Sequence, residues 1–346
     1  MTRQTWTWRG HPIAYYEKNG NRPDQQPVLL LNGFGVGSFH QELLMQSLDN
    51  DAYRLYAIDY LGQGASWPIN CQNGMSDSEK GLCYSGNTWV EQIVDFIQTH
   101  FPAPQQLHLV GNSVGGHLCV FVAQQIPDRI ATLSLLNATP VWGLNLPGWS
   151  GALPAPAIPR AIGRWAFDRM RDKTTIQLFL KNCYYNQEAF EGNLAEQIYA
   201  CTTGNGGHAA FASILWSPPI TVPESSDDGT EKALTFRQCL ARIQCPVLLA
   251  HGADDPWCTP AIAQQILNGL PAECTAQYVE LSNVGHCPNH EAPQAVATIL
   301  QLFWKQSEEP ILKKPLDVKE RWGVTRVTQK SKIPLNWIEQ QVLSRQ

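Results

Sequence analysis

The chain has 346 residues, 43% hydrophobic and 16% charged, enough for one large globular domain with an insertion and too apolar for a disordered chain. Its net charge of −5 gives no electrostatic reason to expect nucleic acid as a partner. No apolar run is long enough to cross a bilayer, and Met1-Thr2-Arg3-Gln4-Thr5-Trp6 resembles neither a signal nor a transit peptide, so a cytoplasmic location is expected.

Two β-like segments, 5–8 and 13–17, open the chain, joined by Gly10-His11-Pro12. A polar stretch leads to 28–31, a short apolar run that empties into Asn32-Gly33-Phe34-Gly35. Such a run ending in glycines predicts a buried parallel strand that feeds a functional loop. The next strand is 53–58, closed by Asp59-Tyr60-Leu61-Gly62-Gln63-Gly64. Segment 89–99 has helical spacing, with Ile93, Phe96 and Ile97 on one side. A strand at 107–110, a helix at 114–125 and a strand at 130–136 follow.

The alternation breaks near Pro140. As far as Phe236 the chain is rich in proline, tryptophan and glycine, with helical pieces at 161–171 and 174–182. Strands at 246–250 and 275–281 and a closing helix at 293–304 then resume the pattern. Alternation interrupted once predicts an α/β fold: a doubly wound, mostly parallel sheet with a mainly helical lid inserted after the sixth strand. The expected division is a core of 1–139 and 237–305, a lid of 140–236 and a C-terminal extension of 306–346. Ten scattered cysteines with no Cys-x-x-Cys pair read as small buried thiols, with no structural zinc or other metal expected.

Gly111-Asn112-Ser113-Val114-Gly115-Gly116 fits the Gly-x-Ser-x-Gly elbow, with a strand before it and a helix after it as that motif requires. Its serine is the candidate nucleophile. The N–H of Val114, at the amino end of the helix, suits an oxyanion. A second donor is expected from the loop after 28–31, with Phe34 preferred and Gly35 the alternative. Asn32 is either a catalytic side chain or one that ties up this loop.

A serine hydroxyl needs a histidine to take its proton, and that histidine needs a carboxylate to set its tautomer. On this architecture the chain order is Ser, Asp/Glu, His. Asp254-Asp255-Pro256 follows the strand 246–250, and Asn283-Val284-Gly285-His286 follows 275–281. Ser113, Asp255 and His286 are therefore the expected triad. Asp255 is preferred to Asp254 because Pro256 stiffens the loop directly after it. His290 and His251 read as structural. Trp142, Trp149, Trp165, Phe167 and Phe179 supply apolar area in the lid, and Trp142, Trp149 and the lid residue His208 are the substrate-contact candidates.

The tail from Lys305 carries nine Lys/Arg against five Asp/Glu, with Trp322 and Trp337 among them. That composition suits an anionic lipid surface. A solvated tail packed on the core fits it equally.

Taken together, these residues resemble the α/β-hydrolase superfamily over about 28–304. More narrowly the chain is similar to the pheophytinases and chlorophyll dephytylases. The matching stretches run from Gly33 to His40, from Ala57 to Gly64 and from Leu135 to Gly143, with Phe211-Ala212-Ser213-Ile214 and Gly285-His286-Cys287-Pro288. The resemblance implies a serine carboxylic-ester hydrolase that removes phytol from pheophytin or chlorophyll and uses no cofactor. Its substrate would be a hydrophobic tetrapyrrole phytyl ester, with a peripheral contact at the thylakoid membrane. Without the transit peptide of plant relatives, a cyanobacterial setting is implied. The alternatives are another lipophilic esterase, a carbon–carbon bond hydrolase of the same fold, and a pigment-binding protein that is not an enzyme.

Overall fold

The computed structural model describes residues 1–19, 25–67, 84–142, 157–203, 214, 217–225, 231–305 and 324–326. Trp149, His208 and most of the tail lie outside them.

The sheet has nine described strands. They are β1 (Thr2–Trp8), β2 (His11–Lys18), β3 (Gln26–Leu31), β4 (Tyr53–Ile58), β5 (Leu107–Asn112), β6 (Ile130–Leu136), β9 (Val247–Gly252), β10 (Ala276–Leu281) and β11 (Val324–Arg326), and their order is β1-β2-β4-β3-β5-β6-β9-β10-β11. Pairings from β4 through β10 are all parallel, while β1, β2 and β11 pair antiparallel. A small antiparallel hairpin, β7 (Val222–Ser225) with β8 (Glu231–Leu234), stands apart from this sheet.

The strands read as continuous apolar runs because both faces are covered. Leu29, Leu31, Leu107, Leu109, Val247 and Leu249 point into one core with helices α2 (Gly86–His100) and α3 (Val114–Gln125). Their neighbours Val28, Leu30, Val110, Leu248 and Ala250 point into the other, against α1 (Glu42–Ser47) and α10 (Pro293–Trp304). This is the period of two of a pleated strand, with helices on each side. Truncating Leu29 or Leu30 to alanine would cost about 2–5 kcal/mol, since both are fully buried.

Between β6 and β9 come α4 (Ala157–Met170), α5 (Lys173–Cys183), α6 (Leu194–Ala200), the β7–β8 hairpin and α7 (Phe236–Leu240). After β9 come α8 (Pro260–Gly269) and the short α9 (Pro288–Glu291). The hairpin, α1, α8 and β11 are elements that the hydrophobic pattern did not disclose. Strand order reverses direction about β3, between β4 on one side and β5 on the other. In open α/β sheets the crevice at such a switch point, beyond the carboxyl ends of the strands, is where ligands bind.

Candidate active site

Three loops meet at that crevice. The first contains the turn from β5 into α3. Ser113 sits there at φ 54°, ψ −118°, a conformation that L-residues rarely adopt. The flanking glycines make it feasible. A Cβ on Gly111 would lie 2.3 Å from the carbonyl carbon of Gly115, and one on Gly115 would lie 2.4 Å from the Leu31 carbonyl oxygen. The Ser113 N–H donates to Leu136 at 2.9 Å, which clips the elbow to β6. Ser113 stays partly accessible while its neighbours are buried. Val114 is the first residue of α3, so its N–H has no acceptor within the helix.

The second loop follows β3. Asn32 is buried, and its Nδ2 donates to the carbonyls of Gly33 (2.9 Å) and Val36 (3.2 Å). Tyr60 donates from its hydroxyl to the Asn32 carbonyl at 2.8 Å. Asn32 thus shapes the loop. The N–H of Gly35 donates to Gln63 Oε1 at 2.8 Å, which commits that group elsewhere. Phe34, whose ring packs on Trp142 at 4.7 Å, lines the cavity beside Ser113.

The third region joins the ends of β9 and β10. His286 Nδ1 donates to Asp255 Oδ2 at 2.7 Å, and both residues are buried. That proton leaves Nε2 as the basic nitrogen. Asp255 Oδ1 accepts from the N–H groups of Trp257 (2.8 Å) and Cys258 (3.0 Å). Burial pushes the Asp255 carboxyl up, but the charge and hydrogen bond of His286, with help from His251 and Asn137, outweigh it and hold the group below its ordinary value. Asp254, by contrast, is exposed and caps the loop by accepting from the N–H of Asn283 at 2.9 Å. The ring of Trp257 lies 4.8 Å from that of His286.

Asn137, at φ 43° just beyond β6, holds these parts together. Its Nδ2 donates to Asp255 Oδ2 at 2.7 Å and to the Gly285 carbonyl at 3.3 Å, and its Oδ1 accepts from the N–H of Gly252 at 2.9 Å. Asn112 does the same for the elbow, donating to the carbonyls of Leu136 (3.2 Å) and His286 (3.1 Å). Sequence reasoning assigned neither residue a role. The signal available for Asn137 was its place in the stretch Leu135–Gly143.

Ser113, Phe34, Val114 and His286 line one cavity of about 450 Å³. Trp142, Phe167 and Phe179 line it too, whereas Trp165 lies on the outside, 64% exposed. His40 is a further lining residue. It is buried, its Nε2 is 2.8 Å from the Tyr184 hydroxyl, and its ring stacks on His290. Burial, then the neighbouring charges of His290 and His286, hold it well below the usual histidine range. His251 is pushed down to about 4 by burial, and its Nε2 donates to the Cys258 carbonyl at 2.7 Å, a structural arrangement.

None of the eight described cysteines is in a disulfide. Burial raises the thiols of Cys183, Cys258 and Cys287, so these lining residues stay protonated and are poor nucleophiles. Among the described residues, Asp255, Cys258 and His286 have ligand atoms within 4.8 Å of one another. Two of them already share a proton and the third is a protonated thiol, which is the chemistry of a hydrogen-bonded pair rather than of a metal cradle. No helix among the described residues is long and apolar enough to cross a membrane.

Comparison with known proteins extends this picture. The chain is 29% identical to the chloroplastic pheophytinase of Arabidopsis thaliana, over 94% of this chain and 72% of that protein. It is 23% identical to a 2-hydroxy-6-oxononadienedioate/2-hydroxy-6-oxononatrienedioate hydrolase of Paraburkholderia phymatum, over 83% of this chain and 90% of that one. Among solved structures, a thermophilic esterase from Thermogutta terrifontis superposes with a TM-score of 0.61 at 18% identity, covering 88% of this chain and 99% of that one. The model of the alpha/beta hydrolase fold family matches residues 26–293, and the chain therefore belongs to that family, as a pheophytinase-like hydrolase.

Proposed function

We propose that the chain is a serine carboxylic-ester hydrolase that removes phytol from a chlorophyll-type pigment. The observation that carries this reading is the buried Asp255–His286 pair, whose His286 opens beside Ser113 into one largely apolar cavity. The likeness to pheophytinase supports the choice of substrate.

In this reading His286 Nε2 takes the proton of Ser113 as its hydroxyl attacks the ester carbonyl. The N–H groups of Phe34 and Val114 stabilise the oxyanion. Asp255, hydrogen-bonded at Nδ1, stabilises the imidazolium, which then protonates the departing phytol oxygen. Water activated by the same histidine releases the pigment acid from the acyl-enzyme. The reaction draws on no cofactor. The insertion over residues 140–236 acts as the lid, and Trp142, stacked on Trp89 and packed at a tilt on Phe34, contacts the substrate.

Incubation with pheophytin and with chlorophyll, followed by chromatography, tests the reading. Free phytol and the matching pigment acid are expected from at least one of them. No phytol from either, by a protein that still labels at Ser113 with a fluorophosphonate, would leave a hydrolase of another lipophilic ester or of a carbon–carbon bond. No label would favour a pigment-binding protein.

A further inference from the structure

Large apolar side chains are unevenly exposed on this molecule. Nine are exposed among the described residues; six of them lie between residues 162 and 185, and a seventh is Trp257. Ile162 and Trp165, one helical turn apart on α4, are 50% and 64% exposed, and Leu178 on α5 is 60% exposed. Met170, Phe179 and Trp257 belong to this apolar surface and also line the cavity that holds Ser113. The apolar face is therefore continuous with the cavity wall. Leaving so concentrated an apolar patch exposed to water is unfavourable, which marks an interaction surface.

The charge on the same helices identifies the partner. Residues 161–183 hold five Lys/Arg and two Asp/Glu, a net +3 in a chain whose overall charge is −5. Lys173 pairs with Glu196. Arg164 and Arg169 have no carboxylate partner among the described residues. Exposed tryptophan, leucine and isoleucine interleaved with unpaired arginines match the boundary between acyl chains and anionic headgroups.

We propose that the outer face of α4 and α5 docks on an anionic lipid bilayer, so that the cavity mouth opens at the membrane surface. Ile162, Trp165 and Leu178 enter the headgroup boundary, and Arg164 and Arg169 meet lipid phosphates. A water-insoluble ester then reaches Ser113 past Met170, Phe179 and Trp257 without crossing bulk water. The lipid contact sits on the lid helices, and does not require the basic tail or any particular ester as substrate.

The test is flotation of the full chain with two kinds of vesicle, phosphatidylcholine alone and phosphatidylcholine with an equal part of phosphatidylglycerol, with no pigment present. The wild type is expected to float with the anionic vesicles and only weakly with the neutral ones. Trp165→Glu/Leu178→Glu should lower the partition coefficient roughly tenfold or more. Arg164→Gln/Arg169→Gln should lower it roughly fivefold per arginine on anionic vesicles and leave the neutral ones unchanged. Neither pair lines the cavity, so both variants should keep wild-type hydrolysis of a water-soluble short ester, which also certifies their folding. Several results would overturn the proposal: no wild-type binding, equal binding to both vesicles, or wild-type binding by both variants. So would a dimer, seen by sedimentation without lipid and lost in Trp165→Glu/Leu178→Glu, in a protein that ignores vesicles. Because no pigment is present, these results are independent of the substrate reading.

Discussion

The main-chain N–H of His286 donates to the carbonyl of Cys183, the last residue of α5, at 2.8 Å. The backbone of the proposed base is thus fastened to α5 as well as to the sheet. Glu291 reinforces the joint: its carboxylate accepts from the N–H groups of Gly285 (3.0 Å), Asn186 (3.1 Å) and Tyr185 (3.3 Å). A displacement of α5 would therefore act on the main chain of His286 directly.

Ser113→Ala removes a hydroxyl and leaves the elbow backbone as it is. Turnover should fall on the order of a millionfold, as loss of the nucleophile does in subtilisin. Fluorophosphonate labelling should vanish while thermal stability stays near wild type. More than a few per cent of residual activity in a clean preparation would remove Ser113 from the role.

Asp255→Asn should be far more damaging than Asp254→Asn. Only Asp255 touches His286, and the equivalent change in a protease triad costs about ten-thousandfold in turnover. Asp254 bonds a loop N–H at the surface, so its amide should cost no more than a fewfold. Steady-state rates on any accepted ester rank the two.

Asn137→Ala leaves the Asp255 carboxylate without one of its donors and the Gly252 N–H without its acceptor. A hydrogen bond to a charged group is worth about 1.5–3 kcal/mol, so a loss of roughly ten- to a hundredfold in kcat is expected, with some loss of stability. An unchanged kcat with lowered Tm would make Asn137 a purely structural residue.

Burial raises the Glu291 carboxyl from its ordinary value to about 7, helped by the charge of Asp254 and opposed by its three N–H donors. Between the unfolded value of 4.5 and about 7 the folded protein holds a proton that the unfolded chain has released. The contribution of this group to stability is therefore complete below that window and is lost as the pH rises through it. Glu291→Gln abolishes the titration, so the wild-type Tm should fall relative to the variant's as pH increases across the window. Parallel Tm curves, measured by calorimetry, would show that Glu291 does not titrate there.

Trp142→Ala should depress kcat/KM for a pigment ester at least about tenfold more than for a short acyl ester, since a remote aromatic contact worth about 1–3 kcal/mol serves only the larger substrate. Equal losses on both would mean that Trp142 acts through Phe34, on which it packs.

The parallel strands were legible because each is a short apolar run, buried on both faces and stopped by glycine or a polar loop. The elbow's turn was legible because its glycines answer local steric demands, and Asp255 was preferred to Asp254 because a proline follows it; the hydrogen bond to His286 is made by Asp255. Asn137, Asn112 and Glu291 were not. Each works through contacts with segments that are remote in the chain, and a single polar residue at the end of an apolar strand or in a four-residue helix has no periodicity to give it away. Gly35 stood as the alternative to Phe34 until Gln63, from another loop, was seen to occupy its N–H. Trp165 read like its aromatic neighbours, yet is exposed and does not line the cavity, because helical position and not composition decides which way a side chain faces.

Strand β11 gives part of the C-terminal extension a protective duty. It pairs antiparallel with β10, with Val324 opposite Leu281 and Arg326 opposite Val279, and so occupies hydrogen-bonding groups along the border of the sheet. An unpaired border strand is a template for another molecule's strand, and β10 carries apolar Val279 and Leu281. Deleting 324–326 would leave that template open immediately before the loop that bears His286. Such a chain should self-associate on warming before it loses catalysis, a failure of solubility rather than of chemistry.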